Sequence, residues 1–150
     1  MLDIRWVKLH SVKDDRGCLT AIEGAKDVPF DIQRVFYMHD VVPGSNRGGH
    51  AHRDTDQLAV AVHGSMKLTL SDGETSVSIV LDDPAWGVTL PCMTWTRLYD
   101  FTDGGVCMVL ASTQYQMRMS IRDWPSYLEA RGLSARPEPM TGHIITRPAL

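Results

Sequence analysis

The sequence predicts an all-β fold, a sandwich or barrel of antiparallel strands, with one short helix near the C-terminal end. Three observations predict it. Short segments rich in β-branched and aliphatic residues recur along the chain, as expected of strands. Turn residues separate these segments at short intervals, which is typical of sandwiches and barrels. Helix start and stop signals flank one segment late in the chain.

The strand segments follow one another from residue 34 to residue 111. In Met66–Leu70, apolar and polar residues alternate with the period of two that a half-buried strand requires. Asp72 and Gly73 follow that segment and supply the positive φ angles of a tight hairpin turn. The predicted strands are Arg34–His39, Gln57–His63, Met66–Leu70, Ser76–Leu81, Gly87–Leu90, Trp95–Phe101 and Val106–Ala111, with Gly48-Gly49 among the turns between them.

The single predicted helix runs from about Asp123 to Arg131. Asp123 can cap its first turn, Pro125 is tolerated in that turn, and Gly132 suits the position just past its end. One face of this helix is expected to pack on the sheet. The apolar residues on that face are Trp124, Tyr127 and Leu128.

The segment after Gly132 contains several prolines and has no periodicity. We therefore divide the chain into one domain, residues 1–132, and an irregular C-terminal tail, residues 133–150. The tail is expected to lie on a surface, either its own or that of a partner subunit.

Composition narrows the function classes. A chain of 150 residues suffices for one domain with a core but not for two. The formal net charge of -3 lacks the basic footprint of duplex binding, so nucleic acid is not an expected partner. No apolar run approaches the roughly 20 residues of a membrane span, and the N-terminal residues lack a signal-peptide core, so a soluble cytoplasmic protein is expected. The widely spaced cysteines argue against a disulfide framework and favour small buried side chains.

The stretch from residue 43 to residue 64 carries the main functional signal. Its Gly44, His50, His52, Gln57 and Gly64 have the spacing of the first motif of the cupins, which are small jelly-roll barrels. The resemblance implies a cupin jelly-roll barrel, in agreement with the strand pattern. His50 and His52 are two residues apart, so in a strand both imidazoles point to the same side, into the barrel.

The metal-ligand positions of the cupin motifs are altered in this chain. Metal-binding cupins have a glutamate where this chain has Gln57, and a histidine where the second motif, within Gly87–Thr96, has Thr96. A divalent transition metal prefers imidazole, carboxylate or thiolate donors, so two imidazoles with an amide and a hydroxyl form a poor cage. We therefore expect neither a metal nor a cofactor.

Two neighbouring imidazoles suit proton transfer. An unperturbed histidine has a pKa near 6.5, so at neutral pH it can both accept and return a proton. Such a pair can remove hydrogen from a carbon next to a carbonyl and return it elsewhere. The enolate that forms needs hydrogen-bond donors, and Tyr37 and Arg47 are the nearest candidates in sequence.

The string RGGHAHR at Arg47–Arg53, preceded by RVFYMHDV and followed by Gln57 and HGS, resembles the bacterial sugar 3,4-ketoisomerases. These are WxcM-like cupins that act on dTDP-4-keto-6-deoxyglucose. The resemblance runs from Asp15-Arg16-Gly17 to the segment SIRDWPSYL and covers nearly the whole chain. It implies a homodimer with exchanged N-terminal strands, a dTDP-linked 4-keto-6-deoxy sugar in each barrel, and a 3-keto product for amination into surface polysaccharide.

The same resemblance implies roles for single residues. His52 is the implied base at C3 of the sugar, and His50 is its partner in moving the proton to C4. Tyr37 is implied at the C4 oxygen and Arg47 at the sugar or the diphosphate. The other implied substrate contacts are Arg16, Arg97, Gln57 and Ser65. A solvated surface position is equally compatible with the sequence around Arg16.

The chain departs from the family in one place. Many members have an acidic segment before the C-terminal helix, where this chain has Gln114–Met119, so the nucleotide and the dimer packing are not specified. The configuration at C4 of the product is not specified either.

Two other functions stay open. One alternative function is a metal-dependent cupin enzyme that uses His50, His52 and Gln57. The other is a cupin that binds a nucleotide sugar without turnover.

Overall fold

A computed structural model describes residues 2–149 and consists of β-strands with one α-helix. The strands in chain order are β1 (Trp6–Lys8), β2 (His10–Asp14), β3 (Gly17–Ala21), β4 (Arg34–Met38), β5 (Arg47–His52), β6 (Gln57–His63), β7 (Met66–Ser71), β8 (Ser76–Leu81), β9 (Trp86–Leu90), β10 (Trp95–Tyr99), β11 (Val106–Ala111), β12 (Ser120–Ile121) and β13 (His143–Ile144). Helix α1 (Trp124–Arg131) lies between β12 and β13, and a short 3₁₀ helix (Met117–Met119) precedes β12.

Two main sheets pack on each other as a jelly-roll-like sandwich. Their strand orders are β1-β9-β6-β11-β4 and β12-β5-β10-β7-β8-β13, and β2 and β3 form a separate hairpin. Paired strands are antiparallel apart from β13, which runs parallel to β8. The prediction of an all-β jelly roll with one short C-terminal helix is confirmed. Within residues 2–149, helices of the length and apolarity needed to cross a bilayer do not occur.

Strand β6 shows how the sequence fills the core. Ala59 and Ala61 face the second sheet and lie in the cluster between the sheets, whereas Leu58 and Val60 face the other way. The outer cluster is covered by the N-terminal segment around Val28. Because both faces of β6 are buried, its sequence is an almost continuous apolar run instead of an alternating one.

The predicted strands are all present, with ends that differ by at most two residues. The prediction missed β1, β2 and β3, because most residues of this N-terminal region are exposed and lack an alternating pattern. The prediction of a turn at Gly48 and Gly49 was wrong. Both glycines lie within β5, with φ angles of 89° and 74°, opposite an irregular register at Thr96 and Arg97 of β10. A left-handed backbone inside a strand explains why glycine stands at both positions.

The helix prediction is confirmed. Asp123 caps α1 by accepting a hydrogen bond of 2.8 Å from the backbone N–H of Ser126, and Gly132 ends it with a φ of 72°. The predicted face packs against Trp95 and Ile121, and its Trp124, Tyr127 and Leu128 are buried. This packing places α1 behind β5, since Ala51 of that strand lies in the same cluster.

The tail beyond residue 132 lies on the chain's own second sheet. Besides the parallel pairing of β13 with β8, the Thr69 hydroxyl donates to the Met140 carbonyl at 3.1 Å. The Ser76 hydroxyl donates to the Thr141 carbonyl at 2.9 Å. Apart from β13, the tail has no regular secondary structure within the described residues.

The expectation of buried cysteines was wrong for two of the three. Cys18 and Cys92 are exposed, because one lies on the β2–β3 hairpin and the other in the loop after β9. Cys107 is buried in the core, where desolvation raises the pKa of its thiol to about 12. All three are free thiols.

Candidate active site

Strand β5 carries His50 and His52 on one face, as their spacing predicts. His50 lies opposite Thr96 of β10, and His52 lies opposite Ser120 of β12. The ring centroids of the two histidines are 4.8 Å apart and the ring planes are inclined by 72°. Both side chains are half-buried. The two imidazoles therefore form one unit that faces the interior of the fold.

The histidine pair lines an open cavity of about 540 Å³. The cavity is wide enough for a sugar with part of a nucleotide, within the range of ordinary ligand pockets. Its other lining side chains include Arg34, Phe36, Arg47, Tyr115, Ser120 and Arg122. A smaller cavity of about 190 Å³ continues from His50 into the barrel, where Gln57 and Thr96 are among its lining residues.

Guanidinium groups surround the mouth of this cavity. The Arg34 guanidinium lies 5.2 Å from the ring centroids of both Phe36 and Tyr115. Arg122 Nη2 donates a hydrogen bond of 2.6 Å to the Tyr115 hydroxyl. Arg34 Nε is buried and has no hydrogen-bond partner among the described residues. A buried donor without a partner is costly, so this site is suited to an anionic ligand that supplies an acceptor.

Burial and neighbouring cations keep both imidazoles neutral. Desolvation is the largest cause that lowers the pKa of His50. The pKa of His52 falls to about 4, chiefly through desolvation and then through His50 and Arg34. At neutral pH each imidazole therefore has a lone pair free to accept a proton. The Ser120 hydroxyl lies 3.3 Å from Nδ1 of His52 and is the polar partner of that nitrogen.

The structure brings two of the predicted substrate-binding residues to this site. Arg47 begins β5 and lines both the main cavity and its inner extension. Gln57 begins β6, is 8% exposed and faces the inner cavity together with Thr96. Within residues 2–149, no group of three His, Cys, Asp or Glu side chains converges as a metal site would require. The donors that share the inner cavity with His50 are the Gln57 amide and the Thr96 hydroxyl.

Tyr37 lines the inner cavity with His50 but not the main cavity, and its expected role at the C4 oxygen stays a prediction. Arg34, Phe36 and Met38 are partly buried on one side of β4, and Tyr37 lies on the other side, 61% exposed. Its ring lies 5.4 Å from that of His39, and it is not among the residues that line the main cavity. The sequence shows that Tyr37 is near the histidine motif, but strand alternation turns it outward.

Arg97, another expected substrate contact, lies outside both cavities of the chain. Thr96 and Leu98 of β10 line the inner cavity, so the side chain between them points to the outer face of the sheet. There Arg97 forms an ion pair with Glu138 of the tail. An arginine whose guanidinium is held by a carboxylate outside the barrel is not available to a diphosphate inside it.

Arg16 and Ser65 lie away from the histidines. Arg16 is at the turn of the β2–β3 hairpin, where its guanidinium pairs with Asp14 at 2.8 Å and its side chain is 87% exposed. Ser65 lies in the β6–β7 turn, where its backbone N–H donates to the Thr102 hydroxyl at 2.9 Å. Neither belongs to the residues that line the main cavity.

The cavity residues that sequence reasoning missed include Arg34, Tyr115, Ser120 and Arg122. A signal for Arg34 was available, because it lies at even spacing from Phe36 and Met38 on the inward side of β4. The other three lie in the segment that folds across the mouth and ends in β12. No periodicity marks that segment, so its approach to the histidines depends on the tertiary fold.

Comparisons with known proteins identify the family. The family model described as "FdtA: WxcM-like, C-terminal" matches residues 2–132. The TDP-4-oxo-6-deoxy-alpha-D-glucose-3,4-oxoisomerase of Aneurinibacillus thermoaerophilus is 37% identical over 121 residues, which are 81% of this chain and 87% of the relative.

Solved structures give the same result for the fold. A 3,4-ketoisomerase from Helicobacter canadensis has a TM-score of 0.85 at 32% identity, over 88% of this chain and 99% of that chain. A histidine-to-asparagine mutant of the 3,4-ketoisomerase QdtA from Thermoanaerobacterium thermosaccharolyticum, in complex with TDP-4-keto-6-deoxyglucose, has a TM-score of 0.85 at 34% identity. That match covers 87% of this chain and 95% of the other.

Proposed function

This chain belongs to the WxcM-like family that the FdtA model describes, and from that membership we propose that it is a sugar-nucleotide 3,4-ketoisomerase. It interconverts the 4-keto and 3-keto forms of a dTDP-linked 6-deoxyhexose, with dTDP-4-keto-6-deoxyglucose as the substrate. The observation that carries the proposal is a pair of neutral imidazoles, 4.8 Å apart, in a cavity whose mouth carries arginines. Relatives with 3,4-ketoisomerase names support the reaction. The proposed setting is the cytoplasm.

The proposed reaction moves hydrogen without a net change in oxidation state. An imidazole of the pair removes the proton from C3, next to the C4 carbonyl, and the electron pair of that bond forms the C3–C4 double bond. The C4 oxygen takes a proton, which gives an enediol. A proton is then delivered to C4 while the C3 hydroxyl loses its own, so that the carbonyl lies at C3. Each proton removed is returned, and neutral bases beside one another suit both steps.

In this proposal His52 is the principal base and His50 returns the proton. The low pKa of His52 keeps it neutral and ready to accept a proton at physiological pH. Arg47 and Gln57 contact the sugar or the phosphate next to it, since both line the cavities at His50. Arg34 supplies a charged donor for an oxygen that gains negative charge, because its buried Nε lacks a partner in the described structure.

The enzyme is further proposed to act as a homodimer. Within the described part of the chain, β2 and β3 pair only with each other, and their Val12 and Leu19 are 53% and 64% exposed. An isolated hairpin with exposed apolar residues gains stability by docking on another surface, here the second subunit. Arg16 at the hairpin turn would then reach the partner's cavity. Sedimentation of the wild-type protein tests this, and a monomer at micromolar concentration contradicts it.

The decisive experiment uses dTDP-4-keto-6-deoxyglucose in heavy water followed by NMR. We expect a 3-keto product with solvent deuterium in the sugar ring. The variant His52→Asn is expected to bind the substrate and to lose turnover, whereas His63→Asn, a distant histidine on β6, serves as the matched control. Product that retains all of its original hydrogen at C3 contradicts the mechanism.

The same protein separates the two alternative functions. A metal-dependent cupin enzyme requires a stoichiometric metal whose removal abolishes activity, which elemental analysis before and after chelation detects. A binding cupin without turnover requires that His52→Asn leave both affinity and the fate of the bound sugar unchanged. We expect neither result, because the donors beside His50 are an amide and a hydroxyl and because the imidazoles are free bases.

A further inference from the structure

The C-terminal tail is the part of the chain that the family does not account for. The family model ends at residue 132, whereas the described chain continues to residue 149. The tail crosses the outer face of the second sheet, on the opposite side of β10 from the cavity. It therefore lies behind the histidines without touching the substrate cavity. Its contacts with the sheet show which part of the site it can influence.

The strongest of these contacts is between Glu138 and Arg97. Arg97 Nη2 donates to one carboxylate oxygen at 3.0 Å, and Nε donates to the other. The side chains are 33% and 19% exposed, so this bidentate pair is better shielded from water than an ordinary surface pair. Hydrogen bonding to Arg97 holds the pKa of the Glu138 carboxyl below its usual value. The pair is therefore charged throughout the neutral range.

The Arg97 guanidinium also lies directly on strand β5. A Cβ atom added at Gly49 would come within 2.8 Å of Arg97 Nη1 and 3.0 Å of Cζ. A Cβ added at Gly48 would come within 2.6 Å of the Thr96 carbonyl oxygen. Gly49 thus leaves the space that the guanidinium occupies on β5, immediately before His50, and Gly48 leaves room for the backbone of β10. A group fixed at this point determines how the next residues of the strand are directed.

We propose that the tail carboxylate Glu138, through Arg97, fixes the direction in which the histidine pair enters the cavity. Both are positioning residues, since neither lines the cavity. The inference rests on the proposed function for its kinetic consequence, but the change in histidine geometry is expected whatever the substrate. Displacement of a catalytic group by about 1 Å can cost up to about a hundredfold in rate. Loss of the Glu138–Arg97 ion pair is therefore expected to lower kcat more than it weakens substrate binding.

The tail offers a matched control for this ion pair. Arg147 pairs with Asp82 at 3.0 Å and with Asp83 at 3.1 Å, in the loop between β8 and β9. This pair attaches the same tail to the β8–β9 loop and lies away from β5. Glu138→Gln removes the negative charge beside Arg97 with almost no change in side-chain volume. Arg147→Gln removes the positive charge beside Asp82 and Asp83.

The first measurement is the imidazole ¹H–¹⁵N spectrum of the ligand-free protein. We expect shifted His50 and His52 signals in Glu138→Gln and wild-type signals in Arg147→Gln. Identical histidine signals in wild type and Glu138→Gln overturn the proposal, because they would show that the contact between Glu138 and Arg97 does not influence the imidazoles. This comparison decides the positioning role even if the wild-type protein shows no isomerase activity, a result that would reject only the proposed function.

The second measurement is steady-state kinetics. We expect Glu138→Gln to lower kcat about tenfold with KM changed less than about twofold. Glu138→Asp keeps the charge and is expected to recover most of the loss, and Arg147→Gln is expected to keep wild-type kcat. Equal losses in Glu138→Gln and Arg147→Gln would show that general loosening of the tail is responsible, and would overturn the proposal.

Discussion

The pH dependence of turnover tests the electrostatics of the histidine pair. Burial, His50 and the nearby cations of Arg34 and Arg122 lower the pKa of His52 to about 4, and only Asp54 opposes them. At pH 5 such a group is about 90% neutral. A histidine with the ordinary pKa of about 6.5 is only about 3% neutral at that pH. A base must be neutral to accept a proton, so the two cases differ about thirtyfold in active enzyme at pH 5.

The assay is the initial rate of ketoisomerisation at low substrate concentration between pH 4 and pH 8. Under these conditions kcat/KM reports the ionisation of the free enzyme. We expect kcat/KM to stay nearly constant from pH 8 to about pH 5 and to fall below it. Circular dichroism at each pH shows that the protein is still folded. A half-loss near pH 6.5 would refute the reasoning, since it would mean that burial does not depress the pKa of the base.

A substitution at Ser120 is expected to raise the pKa of His52, which burial lowers, and so to shift the loss of activity at low pH to higher pH. Ser120 lies 3.3 Å from Nδ1 of His52, so Ser120→Asp places a carboxylate beside the imidazole. An opposite charge at this distance favours the protonated form and raises the pKa by about 1–3 units. We therefore expect the acid limb of Ser120→Asp to move to higher pH, while Ser120→Thr, which keeps a hydroxyl, retains the wild-type profile. An unchanged profile in Ser120→Asp would show that His52 is not the base.

Three further substitutions test the packing that supports the site, each measured as the free energy of unfolding in urea. Tyr127→Phe removes a buried hydroxyl whose single hydrogen lies within reach of two backbone carbonyls, at 3.1 Å and 2.6 Å, and is expected to cost about 1–3 kcal/mol. A loss below about 0.5 kcal/mol would mean that water replaces this hydrogen bond. Gly48→Ala adds a Cβ within 2.6 Å of the Thr96 carbonyl at a φ of 89°. It is therefore expected to cost about 1–3 kcal/mol and to lower activity. Full activity would contradict the role of this part of β5 in directing His50 and His52. Asp123→Ala removes the helix cap to Ser126, with an expected loss of about 1 kcal/mol, while Asp123→Asn should retain most of the stability.

The sequence predicted the elements whose residues alternate or whose ends carry specific turn chemistry. Met66–Ser71 and its hairpin turn, and the capped helix α1, follow from local preferences that the tertiary fold does not override. The hairpin β2–β3 could not be recognised in the same way, because each of its strands has a single large apolar residue, Val12 or Leu19, and so shows no alternating pattern. Gly48 and Gly49 indicate a turn by composition alone. Only the tertiary structure explains them inside a strand, through the Thr96 carbonyl against Gly48 and the Arg97 guanidinium against Gly49.

In the candidate site too, some features follow from the sequence and others only from the tertiary structure. The spacing of His50 and His52 determined by itself that two imidazoles share one side of a strand, because side chains alternate with a period of two. The sequence alone also determined that an amide and a hydroxyl occupy the remaining cupin ligand positions. Only the tertiary structure decided which arginines face these histidines. Arg34 turns inward and Arg97 outward because the face of a side chain depends on strand register and on what covers the sheet, and both are set by residues distant in the chain.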